Sequence, residues 1–169
     1  KVLKYRDDAT MKDAKRAMNE FKVMYSVNHP CICKATGINI AEPIEITNSE
    51  GQQEKSTTIA LFFEYLPYKL KEFLKIPIIN NTLKVRIVLD IVHAMNYLHK
   101  NGMMHRNLTV ENIMLNSLFE TKLVDFYLVK IIETVFDDSY FSESSLTKCV
   151  GNFLYMSPEM ANEEDYEYK

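Results

Sequence analysis

Apolar residues recur at helical spacing at Met11, Ala14, Met18, Phe21 and Tyr25, which predicts a helix over residues 10–25. Thr10 with Asp13 resembles a capping box with Asp in place of Glu. Asn28-His29-Pro30 stops the helix, because the residue before a proline is pushed out of the α region. Ahead of it, Val2-Leu3 reads as the end of a strand and residues 5–8 as a charged turn. Behind it, residues 31–46 read as extended, residues 48–56 as a polar turn, and residues 57–65, rich in β-branched and aromatic side chains, as a strand. The result is a hairpin with a long loop. Pro67 breaks the chain, and the pattern changes from strands to helices. Residues 68–74 predict a short helix that stops before Pro77. Residues 82–100 form the most regular pattern: Thr82 can cap the helix, Ile87, Ile91, Ala94 and Leu98 mark one buried face, and Asn101-Gly102 ends it. Two short apolar strands follow at residues 113–115 and 122–124, with a turn at Asn116-Ser117. Residues 136–149 are polar and Ser-rich and read as a mobile loop.

A small β-rich half with one helix, followed by a helical half, predicts two lobes around a cleft near Leu66-Pro67. The 169 residues are one domain's worth, long enough to bury a core without disulfides or metal. A net charge of −3 argues against a nucleic-acid surface, and no apolar run approaches the length of a membrane-inserting helix. No signal peptide is visible, and because the chain starts at Lys1 the natural N-terminus is expected elsewhere. Cys31, Cys33 and Cys149 are odd in number and lack zinc-ligand spacing, which fits reduced thiols in a cytoplasmic, intracellular protein. Cys149, beside Lys148 in the polar loop, is the one candidate for a reactive thiol. His93 and His99, six apart on the long helix, do not form a metal pair.

The candidate chemistry lies in three short runs. His105-Arg106-Asn107-Leu108-Thr109-Val110-Glu111-Asn112 follows the long helix and precedes a strand. Leu123-Val124-Asp125-Phe126 comes next, and Gly151-Asn152-Phe153-Leu154-Tyr155-Met156-Ser157-Pro158-Glu159 after that. Each run alone is a weak signal; the three in this order and spacing are specific. Together they resemble the signature set of the eukaryotic protein kinases: the H-R-D-x-x-x-x-N catalytic loop, D-F-G and A-P-E. The resemblance extends to the N-terminal part, where Lys1 stands as the strand lysine and Glu20 as its carboxylate partner on the next helix, nine residues before His29-Pro30. It covers essentially the whole chain. A glycine-rich loop would precede it, and a large helix would follow.

The resemblance implies an α+β, two-lobed protein-kinase-like fold, present as a partial domain over residues 1–169. Residues 1–66 would be the N-lobe from its third strand through the hinge, and residues 67–169 the first part of the C-lobe. The implied activity is ATP- and Mg2+-dependent phosphoryl transfer to Ser/Thr hydroxyls of a protein, a reaction in which the enzyme mainly positions groups and neutralises charge. Lys1 would hold the α/β-phosphates and Glu20 would hold Lys1. Asn112 and Asp125 would supply oxygen ligands to Mg2+. Phe63 would be the gatekeeper, the backbone of Glu64 and Leu66 would meet the adenine edge, and Met114 would lie under the ring. His105 would pack with Phe126 and with Met24 of the first helix. Arg106 could pair with a phosphate on Ser142, Ser144, Ser145 or Thr147. The segment around Ser157-Pro158-Glu159 lacks the Trp-bearing pattern of receptor-type tyrosine kinases.

The pattern also departs from the family. Asn107 stands at the catalytic aspartate's position, and an amide cannot take a proton at physiological pH. Thr109 replaces a lysine near the transferring phosphate, and Tyr127 replaces the D-F-G glycine. Asn152 replaces a threonine, and Ala35 a larger apolar residue that helps join the lobes. Together these changes favour a pseudokinase-like nucleotide-binding or scaffolding module over the alternative, an active serine/threonine kinase that tolerates Asn107. A decayed partial gene product is the third reading.

Overall fold

A computed structural model of the chain describes residues 2–6, 10–41, 44–47, 53–77, 80–131 and 152–162. The chain divides into two compact units, residues 1–28 with 33–65 and residues 29–32 with 66–169.

The first unit is a sheet with one helix. The strands are β1 (Val2–Arg6), β2 (Ala35–Ile40), β3 (Ile44–Thr47) and β4 (Gln53–Phe63), and the helix is α1 (Thr10–Ser26). Strand order is β1-β4-β2, with β3 also on β4, and every pairing is antiparallel. β4 is longer than its composition suggests. The polar residues Gln53 to Ser56, expected as turn, are strand, because Ile44–Thr47 offers them a backbone ladder from Thr47↔Gln53 to Ile44↔Ser56. Pairing also carries β1 through Tyr5 and Arg6, expected as turn, opposite Thr57 and Ser56. In both cases the cross-strand partner outweighs local propensity. The core gathers Ala17 of α1 with Ile59 and Leu61 of β4, and Phe21, Ile38 and Phe63 pack against them. The expected capping box at Thr10 and Asp13 involves side chains outside the described residues.

The second unit is built on α3 (Asn81–Lys100), whose Ile87, Ala94 and Leu98 are buried, with Ile91 half-buried. The cap is Asn80, not the expected Thr82: its side-chain oxygen accepts from the Leu83 N–H at 2.8 Å. An amide oxygen at this position satisfies a helix donor that has no partner within the helix. Gly102, with φ 65°, turns the chain out at the other end. The run at residues 68–74 splits into a short strand β5 (Tyr68–Lys69) and α2 (Leu70–Phe73). β5 pairs with β7 (Ile113–Leu115), which pairs with β8 (Thr121–Leu123). β8 therefore starts and stops one residue earlier than expected. β6 (Met103–Met104) pairs with β9 (Lys130–Ile131). Farther on, Asn152 stabilises a 3₁₀ turn at Phe153–Tyr155 by accepting from the Leu154 N–H at 3.1 Å, and α4 (Pro158–Ala161) follows.

The segment His29–Ile32 belongs to this second unit although it follows α1 directly. The Leu123 N–H donates to the Cys31 carbonyl at 2.8 Å, Ile32 bridges to Leu123, and the His29 ring lies 5.0 Å from that of Tyr97. Among the described residues no helix is long and apolar enough to cross a membrane.

Candidate active site

The buried pair Met103–Met104 of β6 leads into the loop that carries most of the expected chemistry. His105 is fully buried there. The backbone N–H of Asn107 points at its Nδ1 at 3.2 Å, and Nε2 lies 3.2 Å from the Val124 carbonyl. A backbone N–H can only donate, so Nδ1 is the acceptor and the ring proton sits on Nε2, donating to Val124. Only the neutral imidazole satisfies both partners. Burial pushes its pKa down to about 4, against the opposing pull of the Val124 hydrogen bond and of Asp125. The ring also meets the buried Phe126 edge-on, with centroids 4.9 Å apart. One histidine thus joins the loop at residues 105–112 to the turn after β8.

Asn107 reinforces that junction. Its Nδ2 donates to Asp125 Oδ2 at 2.9 Å, and its carbonyl accepts from Asn112 Nδ2, also at 2.9 Å. The Asn112 carbonyl in turn accepts from the Val124 N–H at 3.0 Å. His105, Asn107, Asn112, Asp125 and Phe126 therefore form one connected cluster. Asp125 in this cluster and Arg106 beside it have left-handed backbones, with φ 65° and 59°. Such angles are uncommon outside glycine and persist where surrounding contacts fix them. Arg106 is fixed by donation from Nε to the Leu128 carbonyl at 2.7 Å, and Asp125 by the Asn107 amide. Tyr127, at the position of the family's glycine, is not among the described residues with positive φ. The unusual angle falls two residues earlier, on an aspartate, a residue type that tolerates it.

Thr109 is buried, and the Asn112 N–H donates to its carbonyl at 3.1 Å. Lys71, 2.7 Å away, holds the exposed Glu111 carboxyl below its ordinary range, with a smaller contribution from the Thr109 hydroxyl. Lys130 of β9 is lowered from its ordinary value by burial and then by the nearby Arg106 charge, so two cations stand close together. No sequence signal marked Lys130 or Lys71, because β-pairing and loop packing bring them to the site.

Asp125 and Asn112 fit the expected role toward Mg2+ in donor chemistry. Asn112 commits its nitrogen to the Asn107 carbonyl, which leaves its amide oxygen as the hard donor, and Asp125 adds a carboxylate. Among the described residues no group of three or more His, Cys, Asp or Glu could hold a metal ion. A two-residue oxygen set suits an ion whose remaining ligands are water and phosphate.

The other expected site residues are placed separately. Glu20 is buried on α1 in the first unit, as are Met24 of the same helix and Ala35 of β2. Phe63 ends β4 against that unit's core. The Glu64 N–H donates to the Lys34 carbonyl at 3.0 Å, and its carboxylate accepts from the Lys34 N–H at 2.8 Å. Leu66 is buried in the second unit, where Met114 is half-buried in β7. Lys1, Ser142, Ser144, Ser145, Thr147 and Cys149, with the rest of the loop at 136–149, lie outside the described residues.

A buried histidine tying an Arg-Asn loop to an Asp-Phe turn, on an α+β scaffold, is the arrangement of a protein-kinase catalytic region. The chain belongs to the protein kinase domain family, whose description matches residues 1–169. It is 29% identical over 148 residues to a probable serine/threonine-protein kinase of Dictyostelium discoideum, covering 87% of this chain and 22% of that protein. It is 31% identical over 149 residues to NUAK family SNF1-like kinase 2 of Rattus norvegicus, covering 87% and 20% respectively. It is also 31% identical over 169 residues to serine/threonine-protein kinase PRR1 of Saccharomyces cerevisiae, covering 83% and 30%. The chain thus spans less than a third of the length of each of these relatives.

Proposed function

We propose that this chain is the central part of a serine/threonine-type protein kinase domain that binds Mg2+ and ATP but transfers phosphate weakly or not at all. Residues 1–66 would be its N-lobe portion and residues 67–169 its C-lobe portion. The observation that carries the reading is at Asn107. The residue at the base position is an amide, and its nitrogen donates to Asp125, so it has no basic group to receive a substrate proton. The buried Thr109 supplies no charge near the phosphate. Binding needs less. Lys1 paired with Glu20 would hold phosphates, and Asn112 with Asp125 would hold Mg2+. The backbone of Glu64 and Leu66, beside Phe63 and Met114, would receive adenine. The Glu64 N–H is already spent on Lys34, which leaves its carbonyl as the acceptor for an adenine amine. No nucleic-acid role and a cytoplasmic setting complete the proposal.

Thermal melting of the full-length chain tests it. Mg2+ with ATP should raise the melting temperature by linkage, on the order of 2.7 kcal/mol of stabilisation at a hundred-fold excess over Kd. Asp125→Ala should remove the Mg2+-dependent part, and an undiminished shift would refute the metal assignment. Asn107→Asp should raise phosphoryl transfer by roughly 10²–10⁴. Unaltered chain that already turns over near a typical kcat of about 10 per second would favour the active-enzyme reading instead.

The closeness of Arg106 and Lys130 supports one regulatory role, reception of a phosphate carried by Ser142, Ser144, Ser145 or Thr147. Phosphopeptide mapping from cells decides it, and a loop that stays unmodified in every condition counts against it.

A further inference from the structure

We propose that His29 is a proton-sensitive latch: its neutral ring holds residues 29–32 against α3 and β8, and protonation releases them. The inference is independent of the nucleotide-binding reading above.

Residues 29–32 form a tight turn in which every backbone donor after His29 depends on that residue. Pro30 has no N–H. The Cys31 N–H points at His29 Nδ1 at 3.1 Å, and the Ile32 N–H donates to the His29 carbonyl, also at 3.1 Å. A backbone N–H can only donate, so Nδ1 is the acceptor and the neutral ring carries its proton on Nε2. Held in this way, the turn presents the Cys31 carbonyl to the Leu123 N–H of β8 at 2.8 Å and sets the buried Ile32 beside Leu123. A proton on Nδ1 would set two donors against each other. The Cys31 N–H would lose its acceptor, and the residue that carries the contact with β8 would lose its anchor.

The surroundings oppose that proton. The charged and titratable groups facing this segment are Asp90, His93 and Tyr97 of α3, Lys122 of β8, Glu120 just before β8, and Cys31 itself. Burial, then His93, then Lys122 lower the His29 pKa from its ordinary 6.5. The two carboxylates already hold donors: Asp90 has the Cys31 thiol, and Glu120 has Asn116 Nδ2 at 2.7 Å. The Tyr97 ring, 5.0 Å away, attracts a cation but does not replace the lost acceptor. Because the folded value is lowered, the folded chain binds fewer protons than the unfolded one. The latch therefore contributes fully above pH 6.5, and the contribution is lost as pH falls below it through the folded value.

The test follows the ring and the two amides together in the full-length chain. The His29 C2–H signal is titrated by proton NMR and identified by its absence from a His29→Asn variant. Protection of the Cys31 and Leu123 amides is read by hydrogen exchange from about pH 7.5 to about pH 5, which brackets an ordinary histidine. Asparagine can accept from the N–H two residues on, and it does not titrate. In the unaltered chain, protection at both amides should fall several-fold, with the midpoint of the His29 titration. In His29→Asn it should stay level. His93→Gln combined with Lys122→Gln removes both neighbouring cations, and should move the His29 midpoint and the loss of protection together to higher pH. Protection that stays level while His29 titrates overturns the proposal. An equal fall in His29→Asn also overturns it, because the effect would then lie at another group such as His105. If His29→Asn does not fold, the His93→Gln, Lys122→Gln protein decides: a midpoint of protection that does not move overturns the latch, and one that moves upward sustains it.

Discussion

At the scale of single residues, His105 and Asn107 bind the same two segments for different reasons. His105 joins them through a neutral ring whose two nitrogens are both engaged, and its pKa falls from 6.5 to about 4. The folded protein therefore lacks a proton that the unfolded chain binds between these values. The contribution to stability is complete above pH 6.5, declines as pH falls below it, and is lost as pH approaches 4. It amounts to roughly 3 kcal/mol across that window. Replacing His105 by Leu should flatten this part of the pH profile, as measured by denaturant unfolding at a series of pH values. A variant with the same acid slope as the unaltered chain would show that another group is responsible. The family pattern in the sequence located His105, Asn107, Asn112, Asp125 and Phe126. It could not reveal that Asn107 faces Asp125 with its nitrogen, since residue type leaves the direction of an amide open. Nor could it reveal the left-handed backbone of Asp125, because φ depends on the turn that packing imposes.

Elements were most legible where periodicity was strong and least legible where a partner strand decided the outcome. The long helix was plain from Ile87, Ala94 and Leu98, because burial every three or four residues leaves a direct pattern. Its start was misplaced by a plausible alternative: Thr82 and Asn80 are both capping types, and only geometry selects Asn80. Asn80→Ala should therefore destabilise the domain by about 1 kcal/mol in equilibrium unfolding, and Thr82→Ala by within about 0.5 kcal/mol. Equal losses at the two positions would contradict the cap. The opposite face of α3 carries Val85, Val88, Leu89 and Val92, each more than half exposed. The polar start of β4 was illegible for a different reason. Gln53 to Ser56 have little strand propensity, and their conformation comes from a ladder with residues 44–47 that local composition cannot announce.

On the scale of the whole molecule, the order of chemistry-bearing runs was enough to place the chain in its family, while the division into compact units was not written in sequence order. The second unit is discontinuous: it takes residues 29–32 from between α1 and β2 and then skips to residue 66. The chain is accordingly threaded, and a break in the peptide bond need not part the pieces. Tyr65 is 86% exposed, and a protease site engineered between Tyr65 and Leu66 would sever the main connection. Residues 29–32 would still clasp β8 through the Leu123 N–H on Cys31, the Ile32 bridge and the His29–Tyr97 ring contact. The two fragments should co-elute in native gel filtration and separate in denaturant; native separation would show the clasp too weak to hold. Residues 66–169 made alone would in turn leave the buried Leu123 without its hydrogen-bond partner and β8 with an uncovered edge. A boundary drawn at the linker would therefore divide a strand from its neighbour, and the C-terminal piece would inherit a fold whose last strip of sheet is encoded upstream.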